Sequence, residues 1–210
     1  MAHDKDERKR PHLRLVVDNA EKRNPRPAEG EDLPIPMEEL IARRDDLRAG
    51  FYAGMERWQA KAFAALERYL TAREIPYGLD PSHGPLMVIP AGAVCPEAAE
   101  HGDSQQDELL IYLTEDLGGT GGCISLEMVL PFFSEDEGVM EEALLYSPLF
   151  QYGALFLEEN RQDGLLDLVY RLGFPIYPPA LTTRLMERFF DAAACELKET
   201  LRTLAEYAGN

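Results

Sequence analysis

Residues 153–175, GALFLEENRQDGLLDLVYRLGFP, alternate apolar and polar side chains on both sides of a short polar break. Leu155 and Leu157 fall on one face, and Leu166, Leu168, Tyr170 and Leu172 fall on one face of the return. A period of two is that of a strand, and the Asp-Gly pair in RQDG is the strongest short signal for a tight turn. The pattern predicts a β-hairpin. The same alternation runs through CISLEMVLPFF, where Ile124, Leu126, Met128, Leu130 and Phe132 point one way and Ser125, Glu127 and Val129 the other. DELLIYLTED is apolar on both faces through its centre, and PLMVIPA is a short strand bounded by prolines.

Helical spacing appears at both ends. Leu47, Phe51, Met55, Trp58, Ala62, Leu66 and Tyr69 step by three or four within residues 37–73, which keeps them on one stripe. Gly50 and Gly54 each weaken that helix by about 1 kcal/mol relative to alanine, so a break or close crossing is expected there. IPYGLDPSHGP ends it. At the other end Met186, Phe189, Ala193, Leu197, Leu201 and Leu204 form a buried stripe, with Thr182 as N-cap and Leu181 stapling onto Met186. A short amphipathic helix with Met140, Leu144 and Leu145 is expected in SEDEGVMEEALLYSPLF, stopped near Pro148.

The order is helix, three strands, short helix, two strands, helix. That is an α+β plan: a five-stranded, mainly antiparallel sheet, with helices at both ends of the domain and a short one between the third and fourth strands. Residues 37–210 are read as this single domain. Residues 1–36, with five prolines and dense charge, are read as a disordered tail. Within the tail, HLRLVV (His12 to Val17) is an apolar island that suits docking on a sheet edge, although such islands are also often incidental.

Charge narrows the partners. Between Glu74 and Asn160 there is no Lys or Arg against seventeen Asp and Glu, a number equal to the whole chain's net charge of −17. Such a field repels phosphate backbones and anionic membranes, whose binding depends on basic contacts. It steers in a basic protein segment, or it serves solubility alone; both readings stand. The three cysteines are odd in number and have no CxxC spacing, which favours free thiols in a reducing compartment. No apolar run approaches the ~20 residues of a membrane span, so the cytoplasm is the expected location.

The hairpin with its lead-in, LFQYGALFLEENRQDGLLDLVYRLGFP, followed by PPALTTRLMERFFDAAACELKETL, resembles the type III secretion chaperone-like superfamily, and within it the stand-alone bacterial YbjN-type proteins. The similarity spans residues 45–207 and lies in element order and apolar pattern. The resemblance implies a small acidic cytoplasmic protein, commonly a homodimer, that binds protein segments and has no catalytic centre; no cofactor is expected. The charged tail and the loop GAVCPEAAEHGDSQQD depart from it.

The candidate chemistry is sparse. The Gly118–Gly122 cluster is not followed by the lysine a phosphate loop needs, and a hairpin turn wants glycines anyway. His83 and His101 sit in loops beside Asp80 and Asp103. A metal-dependent or small-molecule enzyme using these two loops is the alternative function, but nothing in the sequence fixes the loops together and exposed loop histidine is the simpler reading. No GxSxG elbow is present. No catalytic or metal-ligating residue is therefore assigned.

Binding has more to work with. The sheet face turned away from the helices carries Tyr112, Val129, Phe156 and Val169, rimmed by Glu127, Glu158 and Asp167. It suits an apolar segment with basic flanks; burial under the N-terminal region or a second copy suits it equally. Leu144, Leu145, Leu149 and Phe150 are more apolar than a short surface helix needs, so they are the dimer-contact candidates.

Overall fold

A computed structural model describes residues 35–82, 84–100, 108–115, 122–131, 144–159, 166–176 and 182–208 of the chain. The turn 161–164, Phe132, Leu181 and most of the expected short helix lie outside these residues, as does the segment 1–34.

The helical pattern of residues 37–73 is broken twice and forms α1 (Met37–Ala42), α2 (Arg44–Tyr52) and α3 (Arg57–Ala72). The second break falls at the predicted place, where Gly54 takes a left-handed φ of 78°. A reciprocal capping box restarts the helix: the Glu56 carboxylate accepts from the N3 backbone, and the Glu56 N–H donates to Gln59. At the far end of α3 the Glu74 N–H donates to Thr71 O at 3.1 Å and the Ile75 N–H to Leu70 O at 3.0 Å. That is a Schellman stop, with Glu74 in the left-handed position (φ 56°).

The strands are β1 (Gly78–Asp80), β2 (Leu86–Pro90), β3 (Glu108–Glu115), β4 (Gly122–Val129), β5 (Gly153–Glu159) and β6 (Leu166–Ile176). They form one antiparallel sheet in the order β1-β2-β3-β4-β6-β5. The sheet has six strands, not five. The extra strand, β1, lies inside IPYGLDPSHGP, which reads in sequence only as a helix stop. Three residues are too few to show a period; pairing with β2 makes them a strand, with Gly78 opposite Val88.

Alternation sorts the sheet into two faces. Leu109, Ile111, Ile124, Leu126, Met128, Leu155, Leu168, Tyr170 and Leu172 enter the main core against α3 and the last helix, α4 (Thr183–Ala208). All six expected stripe residues of α4, from Met186 to Leu204, are buried in it. Thr182 caps α4 as predicted, its Oγ accepting from the Leu185 N–H at 3.2 Å. The other face is covered at the β1–β3 end by α1, where Met37 and Leu40 pack on Val88 with Leu86 and Leu110 alongside. The helix crosses so closely that a Cβ on Gly78 would stand 2.6 Å from the Leu40 Cβ. The expected single stripe is thus split between faces: Leu47 joins this second cluster, whereas Phe51 enters the main core.

The loop that departs from the chaperone-like pattern is built, not loose, over its first half. Two 3-10 turns, Ala91–Ala93 and Pro96–Glu100, bury Ala91, Cys95 and Ala98. Glu97 ties them to α4 through Lys198 at 2.5 Å.

Candidate functional site

The half of the second face left open by α1 is set by strand register. Val129, Val169 and Phe156 stand in one cross-strand row on β4, β6 and β5, and Tyr112 lies on the same face of β3. The row does not present four apolar contacts. Val169 is only 2% exposed, on a central strand between Val129 and Phe156. It belongs to the body of the sheet and not to a contact surface. Phe156 is 39% exposed.

Arg171 reorganises this face. Its guanidinium donates to Glu127 and to Glu158, each at 2.7 Å, and lies 5.1 Å over the Phe156 ring. Tyr112 donates to the same Glu127 oxygen at 2.8 Å. Burial opposes the charge on Arg171, but the hydrogen bond and charge of Glu127 outweigh it and raise its pKa. Burial first, then the Glu127 charge, pushes the Tyr112 phenol up, so it remains a donor. Glu127 and Glu158 of the expected acidic rim are therefore engaged within the sheet. The signal was legible: Arg171 alternates onto the same face as Val169.

Among the described residues the strongest apolar exposure lies beside β5. Residues 144–146 close a helical turn that passes into a 3-10 turn at Ser147–Leu149. Leu145 and Leu149 are each 72% exposed, with Leu144 and Tyr152 also in solvent. Phe150 behaves differently from the other three dimer-contact candidates, Leu144, Leu145 and Leu149: it turns inward, edge-on to Tyr170 at 5.9 Å and to Tyr146 at 5.7 Å.

One buried carboxylate fixes this turn. Glu196 of α4 accepts the N–H groups of Gln151, Tyr152 and Gly153 at 3.0, 2.9 and 2.9 Å, and the Tyr170 hydroxyl at 2.7 Å. Burial, with that bond, drives the Tyr170 phenol far up, so it stays protonated and donating. The Leu155 N–H donates to Ser147 Oγ at 2.9 Å. Since β5 ends the strand order, the turn lies across the start of an edge strand. Between the turn and α4 is a cavity of about 260 Å³, lined by Tyr146, Leu149, Tyr152, Ala192, Cys195 and Glu199 among others.

A second buried carboxylate, Glu67, lines a wider cavity of about 570 Å³ on α2 and α3. It accepts from the Tyr52 and Tyr77 hydroxyls, the latter at 2.8 Å, and pairs with Arg48 at 2.8 Å. Burial and the bond to Glu67 push the Tyr52 phenol far up. A carboxylate with three donors already placed braces α2, α3 and the approach to β1.

His83, His101 and Asp103 lie outside the described residues; Asp80 is within them, buried, and accepts the Ser82 N–H at 2.8 Å. Among the described residues no group of His, Cys, Asp and Glu side chains is placed to hold a metal ion. Cys95, Cys123 and Cys195 are free thiols, buried, half-buried and exposed in that order, and burial raises the pKa of the first two. Among the described residues no helix is long and apolar enough to cross a membrane. No protein-family model matches the chain, and no curated protein matches it.

Proposed function

We propose that this chain is a non-catalytic, chaperone-like protein-binding module that acts as a homodimer and holds a segment of a partner protein on an acidic-rimmed apolar surface. The observation that carries the reading is the placement of Leu145 and Leu149, each 72% exposed, on a turn anchored by Glu196 at the margin of an edge strand. Exposed leucines on a braced turn offer apolar area with little ordering cost on binding. The absence of Lys and Arg from residues 74–160 favours a partner with basic flanks. The turn takes over the role first assigned to the open sheet face, because Arg171 and the burial of Val169 leave Phe156 as that face's main apolar exposure.

The test compares the wild type with a Leu145→Ser, Leu149→Ser double variant. Both side chains are solvent-exposed, so the variant keeps its fold by circular dichroism and its thermal midpoint. Affinity capture from native lysate retains polypeptides on the wild type and loses them on the variant; equal capture by both rejects the reading. Light scattering over a dilution series tests the dimer, and a particle of 23.6 kDa at every concentration rejects it.

A further inference from the structure

The cavity of about 260 Å³ between the 146–152 turn and α4 is below the size of pockets that enclose small-molecule ligands, roughly 300–1,000 Å³. It matches one large side chain. Tyr146, Leu149, Phe150, Tyr152, Ala192 and Cys195 make most of its lining. Its polar lining includes two carboxylates, and no Lys or Arg lines it. Glu196 has its donors placed already. Glu199 is different. Among the described residues it pairs with Arg202 at 2.7 Å, the two side chains 47% and 61% exposed, and a surface pair of that kind is exchangeable at little cost.

We infer that this cavity is the anchor pocket for a partner segment, receiving one phenylalanine- or leucine-sized side chain while a neighbouring Lys or Arg of the segment meets Glu199. The inference rests on the protein-binding reading above and adds the position and chemistry of the contact. The pocket is preformed, because the Glu196 carboxylate holds Gln151 and Tyr152 of one wall onto the helix that makes the other. An apolar pocket with a carboxylate in its lining is the form in which a few residues dominate a protein interface.

The probe is a short synthetic peptide with a central phenylalanine flanked by lysines. Its controls replace the phenylalanine by serine or the lysines by glutamates. Two readings are taken: peptide affinity by fluorescence anisotropy, and the rate at which a maleimide labels Cys195, resolved by mass spectrometry of the digested protein. The lysine–phenylalanine peptide is expected to bind and to slow Cys195 labelling, and both controls to bind at least about tenfold more weakly. Cys195→Trp fills the slot from an exposed position and lowers affinity by about tenfold or more; Glu199→Gln, which leaves the slot empty, lowers affinity for the lysine peptide only. Binding that leaves Cys195 labelling unchanged, or that survives Cys195→Trp, overturns the pocket while leaving the leucine surface intact. Failure of the wild type to bind the lysine–phenylalanine peptide also overturns it, and the lysate capture by the Leu145/Leu149 pair then decides the broader reading separately.

Discussion

The Glu196 carboxylate accepts the Gly153 N–H at 2.9 Å, and a Cβ added to Gly153 would stand 2.7 Å from that same oxygen. Helix α4 and the first residue of β5 meet there with no room for a side chain, and the carboxylate gathers two further N–H groups and a phenol. Glu196→Gln turns an amide donor toward donors already in place, and buried donors left without an acceptor are costly. The variant is expected to lose about 3 kcal/mol in urea denaturation. Gly153→Ala is expected to lose a similar amount by displacing the same carboxylate. A loss below about 0.5 kcal/mol for both would show that the turn is not fixed by this contact.

Gly122 makes a second close approach. A Cβ there would lie 2.3 Å from the Trp58 ring and 2.9 Å from Thr114 O. Gly122→Ala must move the indole, with an overpacking cost of about 2 kcal/mol. Trp58 is the only tryptophan, so its intrinsic emission reports the shift directly. An unchanged spectrum with unchanged stability contradicts the packing.

Glu74 occupies a left-handed position (φ 56°) in the Schellman stop of α3. An L-residue there carries a penalty that glycine does not. Glu74→Gly is expected to stabilise the protein by about 1 kcal/mol, read as a higher urea midpoint with unchanged slope.

Glu108 predicts a pH dependence. Burial raises its pKa, a bond from the Met37 backbone offsets this in part, and the Glu38 charge adds to the rise. A carboxyl whose folded pKa lies above its unfolded value holds its proton more tightly in the fold. Its contribution is therefore favourable at low pH and is lost as pH rises from the ordinary glutamate value through the raised folded one. Glu108→Gln removes that loss. The variant is expected to be more stable than wild type at about pH 7 and equal to it below about pH 4, measured as paired urea midpoints. A variant that is less stable at neutral pH would reverse the assignment.

Much of the architecture was written in the periodicity of the chain. Leu155, Leu168, Tyr170 and Leu172 of the hairpin, Ile124, Leu126 and Met128 of the inward face of β4 and the six-residue stripe of α4 bury as their spacing nominates, since alternation and the helical repeat act within one element. Leu166, at the first position of β6, is instead 43% exposed and Leu157 only half-buried. Thr182 caps and Gly54 breaks for equally local reasons. What only the assembled structure decided depends on neighbours distant in sequence. Three residues, Gly78–Asp80, become a strand because β2 offers them a ladder. Val169 disappears from the surface because β4 and β5 flank it, and Arg171 claims Glu127 and Glu158 from adjoining strands. Glu196 and Gly153 show no sign of each other along the chain, and neither pattern nor propensity encodes a carboxylate set to collect the N–H groups of a turn more than forty residues away. Hydrophobic period is a property of each element alone, whereas polar satisfaction and exposure belong to the tertiary arrangement.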